Sequence, residues 1–151
     1  GELPDLICGG PPCQGFSTLG DKISADPRNT LFLAYARLVK DLQPSCVLIE
    51  NVKSLVTMYH GQYKDYILNL FEDIGYKMYF AVLNAADYGV PQIRQRVFFF
   101  GTKLDSDFKF PLPTHGNSKD LIPYETVETW ILDLATKQNG IPNHILLNHS
   151  E

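Results

Sequence analysis

Asp5-Leu6-Ile7-Cys8 is a short apolar run that Gly9-Gly10-Pro11-Pro12 stops abruptly. It reads as a buried strand ending in a rigid turn. Downstream, Asn29 to Gln43 reads as a helix, with Leu31, Tyr35, Leu38 and Leu42 at helical spacing, and Pro44 ends it. Cys46-Val47-Leu48-Ile49 follows as a second apolar strand, with polar Glu50-Asn51 at its C-terminal end. Strand, helix, strand is the βαβ pattern of a mostly parallel sheet. Near-continuous apolar strands fit a sheet covered on both faces. Ligands of such sheets bind beyond the carboxyl ends of the strands, where Gly9–Gly15 and Glu50-Asn51 both fall.

The pattern continues outward from this unit. A second helix is predicted from Gln62 to Ile74, with Tyr63, Tyr66, Ile67, Leu70, Phe71 and Ile74 as its stripe and Gly75 as its stop. Lys77–Leu83 and Val97–Phe100 read as a C-terminal strand pair flanking a loop over Asn84–Gln95. A third helix is predicted over Tyr124–Ala135, and Ser17–Arg28 reads as an exposed loop. The fold class is therefore α/β. No internal repeat interrupts it.

Composition narrows the classes. The chain has 151 residues, about one ordinary domain, with 44% hydrophobic and 20% charged side chains. That apolar fraction excludes a disordered chain. No run of 18 or more apolar residues is present and no secretion signal is readable, so no membrane association is expected. Three cysteines (Cys8, Cys13, Cys46) form neither a disulfide framework nor a zinc knuckle. A reduced compartment and no metal are expected, and the four histidines read as surface or hydrogen-bonding groups. Thirteen basic against 17 acidic side chains give −4, which taken alone argues against an isolated nucleic-acid-binding module. The first 109 residues are nearly neutral, with 11 basic and 12 acidic groups, so most of the deficit lies in the tail.

Several residues suggest chemistry. Two prolines hold the approach to Cys13 rigid and Gly15 lets the chain turn after it, so Cys13 reads as a presented nucleophile. Cys8 and Cys46, inside apolar strands, read as small buried hydrophobes. Glu50 has two readings: a surface carboxylate just past the sheet edge, or an acid tuned by desolvation to donate a proton. Gln92, Arg94 and Arg96 alternate and would share one face of an extended segment. They would form either a solvated edge or a guanidinium pair gripping phosphate or a base carbonyl.

Together these segments resemble the DNA (cytosine-5)-methyltransferase family. Gly9-Gly10-Pro11-Pro12-Cys13-Gln14-Gly15-Phe16-Ser17 is similar to its catalytic motif, and Glu50-Asn51-Val52 to its Glu-Asn-Val motif. Asp87 through Arg96 resembles its Gln-x-Arg-x-Arg motif with the lead-in, and Arg28-Asn29-Thr30-Leu31-Phe32 the motif that opens the following helix. The resemblance implies a partial Rossmann-like methyltransferase fold that uses S-adenosylmethionine. It implies that Cys13 attacks carbon 6 of a cytosine flipped from double-stranded DNA. Glu50 would contact ring nitrogen 3, Asn51 would brace the Pro-Cys turn, Arg96 would hold the base carbonyl, and Arg94 would fix the catalytic loop and a phosphate. Pro12 and Leu31 would touch the cofactor, while Gln14, Ser17 and Gln92 would face the nucleic acid.

The family's opening cofactor motif and closing motifs are not recognisable. Residues 1–109 therefore read as the central portion of the catalytic domain, and 110–151 as the approach to a target-recognition region. A chain of this kind is expected to be inactive by itself and monomeric when complete. The expected setting is a restriction-modification system in the cytoplasm or nucleoid of a bacterium, or the nucleus of a eukaryote. The rival readings are tRNA methylation, a non-catalytic nucleic-acid- or partner-binding remnant, and an amino-group methyltransferase. The last carries an aromatic residue where Cys13 stands.

Overall fold

The computed structural model describes residues 3–12, 30–105 and 107–135. Its elements are β1 (Leu6–Gly9), α1 (Thr30–Leu42), β2 (Cys46–Val52), α2 (Gln62–Glu72), β3 (Lys77–Asn84), β4 (Gln95–Thr102) and α3 (Val127–Ile131). The described residues within Gly1–Leu83 and Gln95–Pro111 form one compact unit, and those within Asn84–Arg94 and Leu112–Glu151 form a second.

The four strands lie in the order β1-β2-β4-β3. The class is α/β, as expected, but the sheet is mixed. β1 and β2 are parallel from Leu6↔Cys46 to Gly9↔Ile49, whereas β2 and β4 are antiparallel from Cys46↔Thr102 to Val52↔Arg96. The expectation of a mostly parallel sheet is corrected on this point. Parallel neighbours need a crossover of a dozen or more residues, which α1 supplies between β1 and β2. The ten residues 85–94 supply none. Ala85 N–H donates to the Arg94 carbonyl (3.0 Å), so this link closes on itself and returns the chain directly to the sheet.

One face of the sheet carries the core. Successive strand residues point to opposite sides, so Val47 and Ile49 of β2 and Val97 and Phe99 of β4 face the helices, all fully buried. Against them pack Phe32, Ala36 and Val39 of α1 and Tyr63, Ile67 and Phe71 of α2. Phe32 meets Phe71 edge-on with ring centroids 6.5 Å apart. The stripe expected on α1 is therefore displaced by one residue, since Leu31 and Leu38 are exposed. Residues 31–36 are apolar all round the helix, so periodicity marks a helix there without choosing its buried side. On α2 the expected stripe is the buried one. Its stop is also as expected: Gly75 N–H bonds the Glu72 carbonyl (2.9 Å) and Tyr76 N–H the Phe71 carbonyl (3.1 Å). With Gly75 at φ +94°, this is a Schellman end.

The other face is covered only in part. Phe108 stacks on Phe100 at 3.9 Å and meets Tyr79 edge-on, but at β1 Leu6 and Cys8 are exposed. The expectation that Cys8 is buried fails because β1 ends the order of strands and its outer face lacks cover among the described residues. Cys46 is half-buried, with its thiol 3.6 Å from the Thr102 hydroxyl. The third helix is shorter than expected. The Thr126 hydroxyl accepts the Thr129 N–H (3.2 Å) and starts α3, which tightens into a 3-10 turn over Leu132–Ala135.

Candidate active site

Glu50 and Asn51 lie within β2 rather than beyond it, because the ladder with β4 runs on to Val52. As neighbours in a strand they point to opposite faces. Asn51 faces the helices and is buried. Its Nδ2 donates to the Pro11 carbonyl at 2.9 Å, and its Oδ1 accepts the Val52 N–H at 2.9 Å. One side chain thus ties the turn after β1 to the end of β2, forty residues away in sequence.

Tyr35 of α1 clamps the same turn from its other end. Its hydroxyl sits between the Ile7 and Leu48 carbonyls, at 3.0 and 3.2 Å, bridging the two parallel strands. Its ring lies so close to Gly9 that a Cβ there would come within 2.5 Å of Cε2, so only glycine fits. Burial pushes the Tyr35 phenol well above its ordinary range, with smaller contributions from Cys8 and Tyr76.

On the opposite face, Glu50 Oε1 meets Arg96 Nε at 3.0 Å. The register places Arg96 diagonally across from Glu50 on one side of the sheet. A Cβ on Gly10 would lie 3.3 Å from Glu50 Oε2, so the turn after β1 passes directly over the carboxylate. Side-chain exposures of 41% for Glu50 and 25% for Arg96 leave the pair reachable from solvent. A half-exposed pair is worth at most about 1 kcal/mol, so it orients both groups more than it stabilises the fold. Beside it, Lys53 Nζ donates to Gln95 Oε1 at 2.7 Å.

Glu50, Asn51, Arg96 and the Gly9–Pro12 turn are therefore brought together. Pro12 is exposed on that turn, and Leu31 is exposed near the start of α1. Cys13, Gln14, Ser17 and the Ser17–Arg28 loop lie outside the described residues, as do His144 and His149. The expectation that Gln92, Arg94 and Arg96 share a strand face is corrected. β4 begins at Gln95, so only Arg96 is in it. Pro91 lacks an N–H to donate, and the Gln92 N–H turns back to the Val90 carbonyl (2.7 Å), which stops the segment from extending.

Gln92 and Arg94 belong to the second unit, where both are exposed. Asn84 Oδ1 accepts the Arg94 N–H at 3.1 Å. Asp87 organises this unit. Its carboxylate accepts from Asn84 Nδ2 (3.0 Å) and the Tyr124 hydroxyl (3.1 Å), and its carbonyl from the Thr114 and His115 N–H groups. The hydrogen bond to Asp87 raises the Tyr124 phenol above its usual range. Gln92, Pro91, Ile93 and Tyr124 line a cavity of about 290 Å³ in the same unit.

The roles of Tyr35, Gly10 and Asp87 were missed from sequence. Tyr35 sits on the predicted apolar stripe, where an aromatic reads as core, and only its hydroxyl hints at a buried acceptor. Among the described residues, no group of three or more His, Cys, Asp or Glu side chains could hold a metal ion, and no helix is long and apolar enough to cross a membrane.

The chain thus presents an α/β sheet in which a carboxylate, an amide and a guanidinium gather around the proline turn at the strand ends, the position where open sheets of this class bind their ligands. The family is then specific: residues 2–150 match the model of the C-5 cytosine-specific DNA methylases, and the chain belongs to that family. It is 42% identical over 134 residues to the type II methyltransferase M.BsuRI of Bacillus subtilis, covering 87% of this chain and 31% of that protein. To the type II methyltransferase M1.HphI of Haemophilus parahaemolyticus it is 43% identical over 148 residues, covering 96% and 38%. Among solved structures it is similar to a candidate DNA modification methyltransferase encoded within a prophage (E. coli). That match has a TM-score of 0.61 and 34% identity, covering 92% of this chain and 35% of the other. The chain thus spans about a third of the length of these relatives.

Proposed function

We propose that these residues supply the base-reacting part of an enzyme that methylates carbon 5 of cytosine in DNA, on a partial Rossmann-like methyltransferase fold. Residues 1–109 are its central catalytic portion and 110–151 lead toward a target-recognition region. The observation that carries the reading is the adjacent pair Glu50-Asn51. One side chain meets Arg96 at 3.0 Å and the other holds the Pro11 carbonyl at 2.9 Å, so three separate motifs converge on one strand end.

In this reading the Cys13 thiolate adds to carbon 6 of a cytosine taken out of the stack. Glu50 faces ring nitrogen 3 and, in its protonated form, donates the proton that compensates the charge of the adduct, becoming a carboxylate paired with Arg96. Arg96 holds the base carbonyl while it orients the Glu50 carboxylate, and Arg94 fixes the catalytic loop and a phosphate. Asn51 holds the Pro11-Pro12 turn that leads to Cys13. Gln14, Ser17 and Gln92 face the nucleic acid. S-adenosylmethionine, when bound, supplies the methyl group. The exposed apolar surfaces of Leu31 and Pro12 fit the uncharged parts of such a donor and would hold it. Transfer of the carbon 5 proton to a solvent base then lets the carbon 6–sulfur bond break, which releases the Cys13 thiolate while ring nitrogen 3 returns its proton to the Glu50 carboxylate.

The test uses the whole polypeptide that carries these residues, with labelled S-adenosylmethionine and duplex DNA containing 5-fluorocytosine. Fluorine at carbon 5 blocks the elimination, so a covalent complex that survives a denaturing gel and disappears in Cys13→Ser is expected. No complex with wild type, or an undiminished one in Cys13→Ser, would overturn the reading. Trapping on 5-fluorocytosine tRNA but not on DNA would reassign the substrate.

A further inference from the structure

Lys53 is the first residue beyond β2, and three features single it out. It opens the 3-10 turn Lys53–Val56 directly after β2, two residues beyond Asn51, the group that holds the proline turn. Its ammonium is fixed by Gln95 Oε1 at 2.7 Å, across from it at the start of β4. Gln95 is a neutral acceptor, so the bond positions the charge without cancelling it. Among the described residues Lys53 has no carboxylate partner, whereas Arg96 next to Gln95 is paired with Glu50. Among the described residues Gln95 takes one of the three Lys53 N–H donors, which leaves two for another acceptor.

We propose that Lys53 contacts a DNA backbone phosphate beside the reacting cytosine, a role that rests on the methyltransferase reading above. A phosphate oxygen suits a fixed, uncancelled, exposed ammonium at the rim of a site that must hold a distorted duplex. The chain offers its own control. Lys103 donates to Gln43 Oε1 in the same manner, but it lies past the other end of β4, about 23 Å along the strand from Gln95, and over the Tyr76 ring.

The test measures equilibrium binding of the whole polypeptide to duplex DNA across a range of salt concentrations. Wild type is compared with Lys53→Gln, Lys53→Arg and Lys103→Gln. One lost phosphate contact makes the slope of log affinity against log salt shallower by about 0.9. Lys53→Gln should show that change and weaken target and non-target duplexes alike. Lys53→Arg should keep the wild-type slope, and so should Lys103→Gln. A wild-type slope in Lys53→Gln, or equal losses in Lys53→Gln and Lys103→Gln, overturns the proposal while leaving the methyltransferase reading intact. A wild type that binds no DNA overturns both.

Discussion

The hydrogen bond from Asn51 to Pro11 lends itself to a stringent test. Asn51→Ala removes two bonds at 2.9 Å, one to the Pro11 carbonyl and one from the Val52 N–H, at a position only 8% exposed. At about 0.5–1.5 kcal/mol per bond, the loss is about 2 kcal/mol. For a chain of this size that lowers Tm by about 4–8 °C. Asn51→Asp is the more informative partner. It keeps an oxygen for the Val52 N–H but turns the donor toward Pro11 into a second acceptor, so two oxygens would face each other at hydrogen-bond distance. Asp should therefore cost at least as much as Ala, although it is nearer in shape. Urea denaturation followed by far-ultraviolet circular dichroism gives the stabilities, and the 5-fluorocytosine complex reports on the site. Both variants should trap more slowly than wild type because the turn leading to Cys13 loses its anchor. An Asn51→Ala protein within about 0.5 kcal/mol of wild type, less than one buried bond contributes, or an Asp variant clearly more stable than Ala, would show that Asn51 does not anchor the turn.

Two further outcomes follow from local geometry. Burial raises the Tyr35 phenol above its unfolded value of 10.0, so its contribution to stability is complete below that pH and is lost as pH rises toward the folded value. Stability measured from pH 9 to 12 should fall more steeply in wild type than in Tyr35→Phe, and parallel curves would contradict the assignment. Gly75→Ala places a Cβ at φ +94° in the Schellman end of α2 and should cost about 1–2 kcal/mol. No measurable change in the urea midpoint would show that this end relaxes freely.

Much of the site was legible in the sequence because its parts are local. The glycine-proline stop after β1, the polar pair ending an apolar strand and the helix between them follow from propensity and periodicity over a few residues. So does the end of α2 at Gly75. What remained hidden depends on contacts between distant residues. The apolar run 31–36 allows either side of α1 to be buried, and only packing against Phe71 and Tyr63 selects Phe32. Cys8 looks like core until β1 is found at the end of the order of strands. Gln92, Arg94 and Arg96 alternate on paper, yet the turn at Pro91 and Gln92 leaves the first two off the strand.

The α/β class, the family motifs and the candidacy of Glu50, Asn51 and Arg96 are each written in a short run of residues. The tertiary structure decided that β4 lies antiparallel to β2, which carries the ladder past Ile49 to Val52. That pairing places Glu50 against Arg96 and frees Asn51 to reach Pro11. No local signal encodes it, because the pairing of β4 with β2 is chosen by the burial of whole faces; the short link over residues 85–94, legible in the sequence, only rules out a parallel crossover between β3 and β4.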